Sequence, residues 1–301
     1  MIKSKKHYTR NITTYSHFIL YITSNIRNLN TFHEENFNRK HVYNFYFNKM
    51  DFTDKVVLIT GACSGIGAAT ALYLAKLSAK LALAGQNEKN LLETVAMCEK
   101  EKGFKPLAIV ADITKEADVE RIIKETLEHF KQLDVLVNNC GISKSGGIKT
   151  TTLAAYDIVM NTNVRGTFYL TSLAVPHLIK TKGNIVTVSS VSSSKSVPNI
   201  TVYTMSKAAL DQFTRNLAVE LGPDGVRANC VNPGLVATNL LTRMGFNDDQ
   251  YNAYFEQMVK DTPLGRLTEP KDVAALISFL ASDLAKSITG ATHSIDAGRY
   301  L

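Results

Sequence analysis

Seven short apolar runs, separated by stretches of helical periodicity, leave this chain very few folds. They are KVVLIT (55–60), KLALA (80–84), KPLAIVA (105–111), LDVLVNN (133–139), GNIVTVSS (183–190), VRANCVN (226–232) and ATHSID (291–296). Most are apolar at consecutive positions, the pattern of parallel strands buried on both faces. Helical stretches lie between them at 65–79, 88–102, 115–130, around 154–180, 203–221 and 269–282, the last with Pro270 placed for a first turn. This alternation predicts one doubly wound α/β domain, a seven-stranded parallel sheet flanked by helices and joined by right-handed crossovers. Ligands of such sheets sit outside the strand C-termini, so the residues there are the functional candidates.

The first such end is Thr60-Gly61-Ala62-Cys63-Ser64-Gly65-Ile66-Gly67. Glycines permit a tight turn and let a pyrophosphate approach the backbone, and the helix that follows offers N–H groups and a partial positive charge. A glycine cluster alone says little. Directly after the first strand of an alternating α/β chain it points to a dinucleotide.

A second constellation lies at 190–207. Tyr203 and Lys207 are four apart, one above the other on a helical face. A phenol near pH 10 is a poor base, and an ammonium one turn away is expected to lower its pKa. Such a tyrosine can exchange a proton with a substrate alcohol or carbonyl. Ser190, ending the fifth apolar run, can hydrogen-bond the same oxygen. By itself the pair also suits an ordinary amphipathic helix.

Together the motifs resemble the short-chain dehydrogenase/reductase family over about residues 51–301, nearest to 3-oxoacyl-carrier-protein reductases and similar carbonyl reductases and alcohol dehydrogenases. T-G-x-x-x-G-I-G is Thr60 to Gly67, and N-N-A-G is Asn138-Asn139-Cys140-Gly141, with Cys140 in the alanine place. N-x-x-G is Asn163 to Gly166, the serine thirteen before the tyrosine is Ser190, Y-x-x-x-K is Tyr203 and Lys207, and P-G is Pro233-Gly234, followed by Thr238. The resemblance implies a Rossmann-type catalytic domain that interconverts a ketone and a secondary alcohol by hydride transfer. It implies Tyr203 as acid/base, Lys207 on the nicotinamide ribose, Ser190 orienting the substrate oxygen, and Asn163 holding a relay water. It also implies cofactor contacts from Gly61, Ser64, Gly65, Ile66, Gly67, Asp112, Asn139, Pro233, Gly234 and Thr238. A non-catalytic dinucleotide-binding regulator on the same fold is the alternative; the intact set Asn163, Ser190, Tyr203 and Lys207 weighs toward an enzyme. Relatives commonly form tetramers, so a homo-oligomer, tetramer or dimer, is expected.

Cofactor choice is read at Gly85-Gln86. Relatives that prefer NAD place an aspartate where Gly85 stands; those that prefer NADP often show G-R. The missing carboxylate removes a repulsion against a 2′-phosphate, and the missing arginine removes its bidentate partner. NADP(H) is therefore favoured and NAD(H) stays open. The stretch 235–264 breaks the strand–helix rhythm and is read as a substrate lid. Its Leu240, Leu241, Met244, Phe246, Tyr251, Tyr254 and Phe255 favour an apolar small-molecule substrate, with fatty-acyl, steroid, retinoid and sugar classes all open.

The chain is 45% hydrophobic and 20% charged, an ordinary globular profile, and no apolar run reaches the roughly 18 residues of a membrane span. Net charge is +7, of which residues 1–50 carry +6 through eight Lys/Arg against Glu34 and Glu35. The remainder is near neutral, which argues against a nucleic-acid partner. Residues 1–50 show no sustained period. Three readings stand: a disordered basic tail, a mitochondrial presequence, or an untranslated stretch before a start at Met50. The expected location is cytoplasmic, or mitochondrial if that stretch is a presequence. Cys63, Cys98, Cys140 and Cys230 lack C-x-x-C spacing, so free thiols are expected and no metal site is.

Overall fold

The computed structural model describes residues 50–102, 104–236 and 256–300. Each apolar run forms a strand: β1 Val56–Thr60, β2 Lys80–Gly85, β3 Leu107–Val110, β4 Val135–Asn138, β5 Asn184–Val188, β6 Arg227–Pro233 and β7 Thr292–Ile295. All pair in parallel, in the order β3-β2-β1-β4-β5-β6-β7. The central strands β1, β4 and β5 are buried at every position, as their unbroken apolar sequences require, whereas the edge strand β7 alternates in exposure.

The helices are α1 Gly65–Lys76, α2 Glu88–Lys102, α3 Glu116–Phe130, α4 Leu153–Met160, α5 Thr167–Thr181, α6 Thr201–Leu221 and α7 Pro270–Ala281. One core lies where Leu74, Leu91, Val95, Val273 and Ile277 of α1, α2 and α7 meet Val57, Ile59 and Val137. The other lies where Ile122, Leu170, Leu178 and Leu217 of α3, α5 and α6 meet Leu58, Leu136 and Ile185. Alternate residues of β1 and β4 thus feed opposite cores, the geometry of a strand covered on both faces. Pro270 begins α7, and Glu269 and Asp272 cap it reciprocally.

The long helical region around 154–180 is not one regular helix. A π-turn, Asn161–Gly166, separates α4 from α5. It holds Gly166 so close to β3's exit that a Cβ there would lie 2.5 Å from the Ile113 carbonyl oxygen. Among the described residues no helix is long and apolar enough to cross a membrane. Thr238 and lid positions 237–255, including the seven apolar and aromatic residues named above, lie outside the described residues, as do residues 1–49.

Candidate active site

The chain enters the sheet at β1, runs out to β3, then returns to the other side of β1 at β4. Loops leaving β1 and β4 therefore diverge and open a crevice. A cleft of about 560 Å³ lies there, lined from Thr60–Ile66, Gly85–Asn87, Asn139–Ile142, Val188–Ser190, Tyr203, Lys207 and Pro233–Val236. Thr60 braces its floor: its Oγ1 accepts from the backbone N–H groups of Asn139 (3.0 Å) and Cys140 (3.1 Å). Asn139 Nδ2 donates to the carbonyls of Thr60 (2.9 Å) and Gly61 (3.3 Å), so this amide is occupied in tying β4 to the glycine loop.

That loop has the geometry of an anion cradle. Gly61 has φ +64°, and a Cβ on Gly67 would lie 2.3 Å from the Gly61 carbonyl oxygen. Both positions require glycine. The N-terminus of α1 opens here with no acidic residue in its first turn, which fits the phosphates of a dinucleotide.

At the end of β2, Gly85 borders Cys63. A Cβ on Gly85 would sit 2.2 Å from Cys63 Sγ, which donates to the Asn87 carbonyl at 3.4 Å. Cys63 therefore fills the space into which a side chain at 85 would grow. Gln86 lies beside Asp112 beyond β3 and favours its charged form. Asp112 also accepts from Thr114 N (2.9 Å) and Oγ1 (2.7 Å). Burial works to raise its pKa, but these bonds prevail and hold it below the usual carboxylate range.

Tyr203, Ser190 and Lys207 meet on the opposite wall. Lys207 is 3% exposed and donates to the Val188 carbonyl at 2.8 Å. Burial pushes its pKa down to about 8. Its Nζ lies 5.6 Å from the Tyr203 ring centroid. Burial pushes the Tyr203 phenol up, and a hydrogen bond with Ser190 opposes that rise. The expected net lowering by Lys207 is not found. The ammonium faces Val188, and desolvation of the phenolate dominates.

Ser190 Oγ accepts from Ser192 N (3.2 Å) and Ser192 Oγ (2.9 Å) and reaches the Pro233 carbonyl at 3.5 Å. Neighbouring hydroxyls are engaged elsewhere: Ser189 donates to the Lys207 carbonyl at 3.0 Å, and Ser193 accepts from Asn232 at 3.0 Å. Asn163, in the π-turn, is fully buried. Its Oδ1 accepts from Ile142 N (2.8 Å), while Nδ2 donates to the Ile142 carbonyl (2.9 Å) and Ser206 Oγ (3.0 Å). Both amide hydrogens are thus committed, so any relay water it holds would meet another of its atoms. Pro233-Gly234 closes the cleft beside Asp296, whose Cβ would be 2.6 Å from a Cβ on Gly234.

Sequence reasoning missed Ser206, Asn232 and Asp211, all buried beside this wall. The third carried a signal, since 203, 207 and 211 share one helical face. No disulfide joins the four cysteines, and among the described residues no cluster could hold a metal ion.

A phosphate cradle at a topological switch point, facing a half-buried tyrosine beside a buried lysine, defines a dinucleotide-binding α/β enzyme. Residues 61–299 match the family described as Enoyl-(Acyl carrier protein) reductase. An uncharacterized oxidoreductase of Thermotoga maritima is 39% identical over 250 residues, covering 83% of this chain and 98% of its own. A short-chain dehydrogenase/reductase of Caenorhabditis elegans, solved with cofactor, is 34% identical with a TM-score of 0.79, covering 82% of this chain and 96% of its own. A 3-ketoacyl-(acyl-carrier-protein) reductase of Brucella melitensis, complexed with NADH, is 31% identical with a TM-score of 0.76, covering 83% and 100%. The chain belongs to the short-chain dehydrogenase/reductase family. Its members bind NAD(H) or NADP(H), and this protein is an oxidoreductase dependent on such a dinucleotide.

Proposed function

We propose that the protein interconverts a ketone and a secondary alcohol on an apolar small molecule, with Tyr203 as the acid/base. The observation that carries this reading is the convergence of Tyr203, Ser190 and Lys207 on the same cleft as the glycine cradle. A dinucleotide held there would supply or remove the hydride. The chain's own residues handle position and charge. In reduction, Tyr203 gives its proton to the carbonyl oxygen as negative charge develops there, and Ser190 donates a hydrogen bond to that oxygen. A phenol held above its ordinary pKa retains that proton at neutral pH, which suits a general acid. Lys207, still mostly protonated at pH 7, would hold the ribose hydroxyls of the dinucleotide. Asn163 fixes Ile142 at the mouth of the cleft.

NADP(H) is the favoured dinucleotide, since no carboxylate stands at 85 to repel a 2′-phosphate. The relative named for 3-ketoacyl reduction supports an oxoacyl-like substrate. The exposed Phe168 on α5 lies against Phe213 of α6, ring centroids 5.7 Å apart, and we assign self-association to that face. Sedimentation velocity tests it: Phe168→Asp gives a smaller species than wild type, and unchanged mass refutes the assignment.

The test of the reaction is Tyr203→Phe. Turnover of an accepted ketone falls by roughly 10³-fold or more, while dinucleotide affinity changes little, because only the hydroxyl is lost. Near-normal turnover in this variant would place the proton donor elsewhere.

A further inference from the structure

Asp211 is a carboxylate at 7% exposure, deep under the catalytic wall, and it has no part in the chemistry above. It stands one helical turn beyond Lys207 and two beyond Tyr203 on α6. Burying a carboxylate is costly, and a single neutral amide offsets that cost poorly. It accepts from Asn232 of β6, whose Nδ2 lies 3.0 Å from Oδ2 and 3.3 Å from Oδ1. The same Nδ2 lies 3.1 Å from the Ser190 carbonyl and 3.0 Å from Ser193 Oγ.

We infer that Asp211 is a positioning residue for the reaction: through Asn232 it clamps the Ser190 loop to the helix that carries Tyr203 and Lys207. An asparagine amide can turn over with little change of shape, exchanging its oxygen for its nitrogen. Turned over here, Asn232 would present an oxygen to the Ser190 carbonyl and push the loop away. The Asp211 carboxylate forbids this, since it accepts hydrogen bonds and cannot donate them when ionised. One N–H is thereby directed to Asp211 and the other to the Ser190 loop. Ser190 and Tyr203 must converge on one substrate oxygen, and an error of about 1 Å in such an arrangement costs about 10²-fold.

The carboxylate has a second effect. Asp211, one turn from Lys207 on α6, favours the charged form of that lysine. The Cys230 and Cys140 thiols also face it but keep their protons, burial having pushed them up to about 12 and about 11. Only Asp211 among them is a carboxylate. It supports the charge that holds the dinucleotide ribose.

The inference rests on the Tyr203 reading, and the experiment separates the two. Steady-state reduction of an accepted ketone with NADPH is measured for wild type, Asp211→Ala, Asn232→Ala and the double variant. NADPH affinity is followed by fluorescence across pH for wild type and Asp211→Asn. Circular dichroism establishes that each variant is folded. Asp211→Ala is expected to lower kcat by about 10²-fold with KM within about threefold. The double variant should be no worse than the weaker single, because both cut the same clamp. Asp211→Asn keeps the volume and one acceptor, so it retains more kcat. Its affinity is lost at lower pH than in wild type. A folded Asp211→Ala with normal kcat, additive losses in the double variant, or an unmoved pH limb in Asp211→Asn each overturns the inference. Full turnover in Tyr203→Phe overturns the parent reading instead. Should Asp211→Ala fail to fold, the Asp211→Asn measurements decide alone.

Discussion

Lys207 allows a thermodynamic test that needs no substrate. Its ammonium is 3% exposed, and burial lowers its pKa from 10.5 to about 8. At 1.36 kcal/mol per pH unit, the folded protein carries a penalty of about 3 kcal/mol for keeping this charge at neutral pH. The sign follows from which state holds the proton longer. Between about pH 8 and 10.5 the folded lysine is neutral while the unfolded one is still charged. Stability from this group therefore rises with pH across that window, and the full penalty is present below it. Lys207→Met has the length and flexibility to fill the same channel without a charge. It forfeits the hydrogen bond to the Val188 carbonyl, so the two proteins should be similar in stability near pH 7. The wild type should then gain on the variant by roughly 2–3 kcal/mol between pH 7 and 10. Every other titrating group is common to both proteins and cancels in the difference. Urea unfolding of the cofactor-free proteins, in steps of pH, measures it. The chain has no tryptophan, so far-UV circular dichroism is the probe. Parallel stability–pH curves would refute the reasoning, because they would mean that the ammonium is solvated and its burial has no electrostatic cost.

Two further outcomes are expected. Gly85→Asp alone should weaken both NADH and NADPH binding and lower the melting temperature, since its Cβ would meet Cys63 Sγ at 2.2 Å. With Cys63→Ala added, the melting temperature recovers and NADH becomes the tighter ligand, and equal affinity ratios in wild type and double variant would contradict the reading of the β2 end. A chain begun at Met50 should fold and turn over as the full chain does, because Phe52 is already 1% exposed and Met50 packs on the same core. Loss of activity on that truncation would assign the first 49 residues a role in the domain.

The fold was legible because both faces of the sheet are covered. Runs such as VVLIT and VLVN are polar only at their last residue, Thr60 and Asn138, so their number and spacing could be read directly. Strand ends then located the glycine loop, Asn139, Ser190 and Pro233 at one crevice. The π-turn was not legible. It depends on Asn163 reaching Ile142 and on Gly166 lying against Ile113, contacts between segments about 20 and 50 residues apart in the chain. The direction of the Tyr203 pKa was misread for a related reason. Spacing on a helix reveals which charges are near, but burial depends on everything packed around the phenol. Asp211 shows the same limit: its spacing from Lys207 was visible, yet a helical aspartate is ordinarily solvated, and only the fold shows it buried against Asn232.

The close approach of Cys63 to Gly85 also bears on how such a cleft can change over generations. The two positions form one unit of variation. A lineage moving from one dinucleotide to the other by acquiring an acid at 85 must first shrink or turn the residue at 63. That first step clears the space beside 85, whereas the reverse order passes through a protein in which the two side chains crowd each other. Scanning libraries that vary one position at a time would record 85 as intolerant and 63 as indifferent, and would miss that they act together.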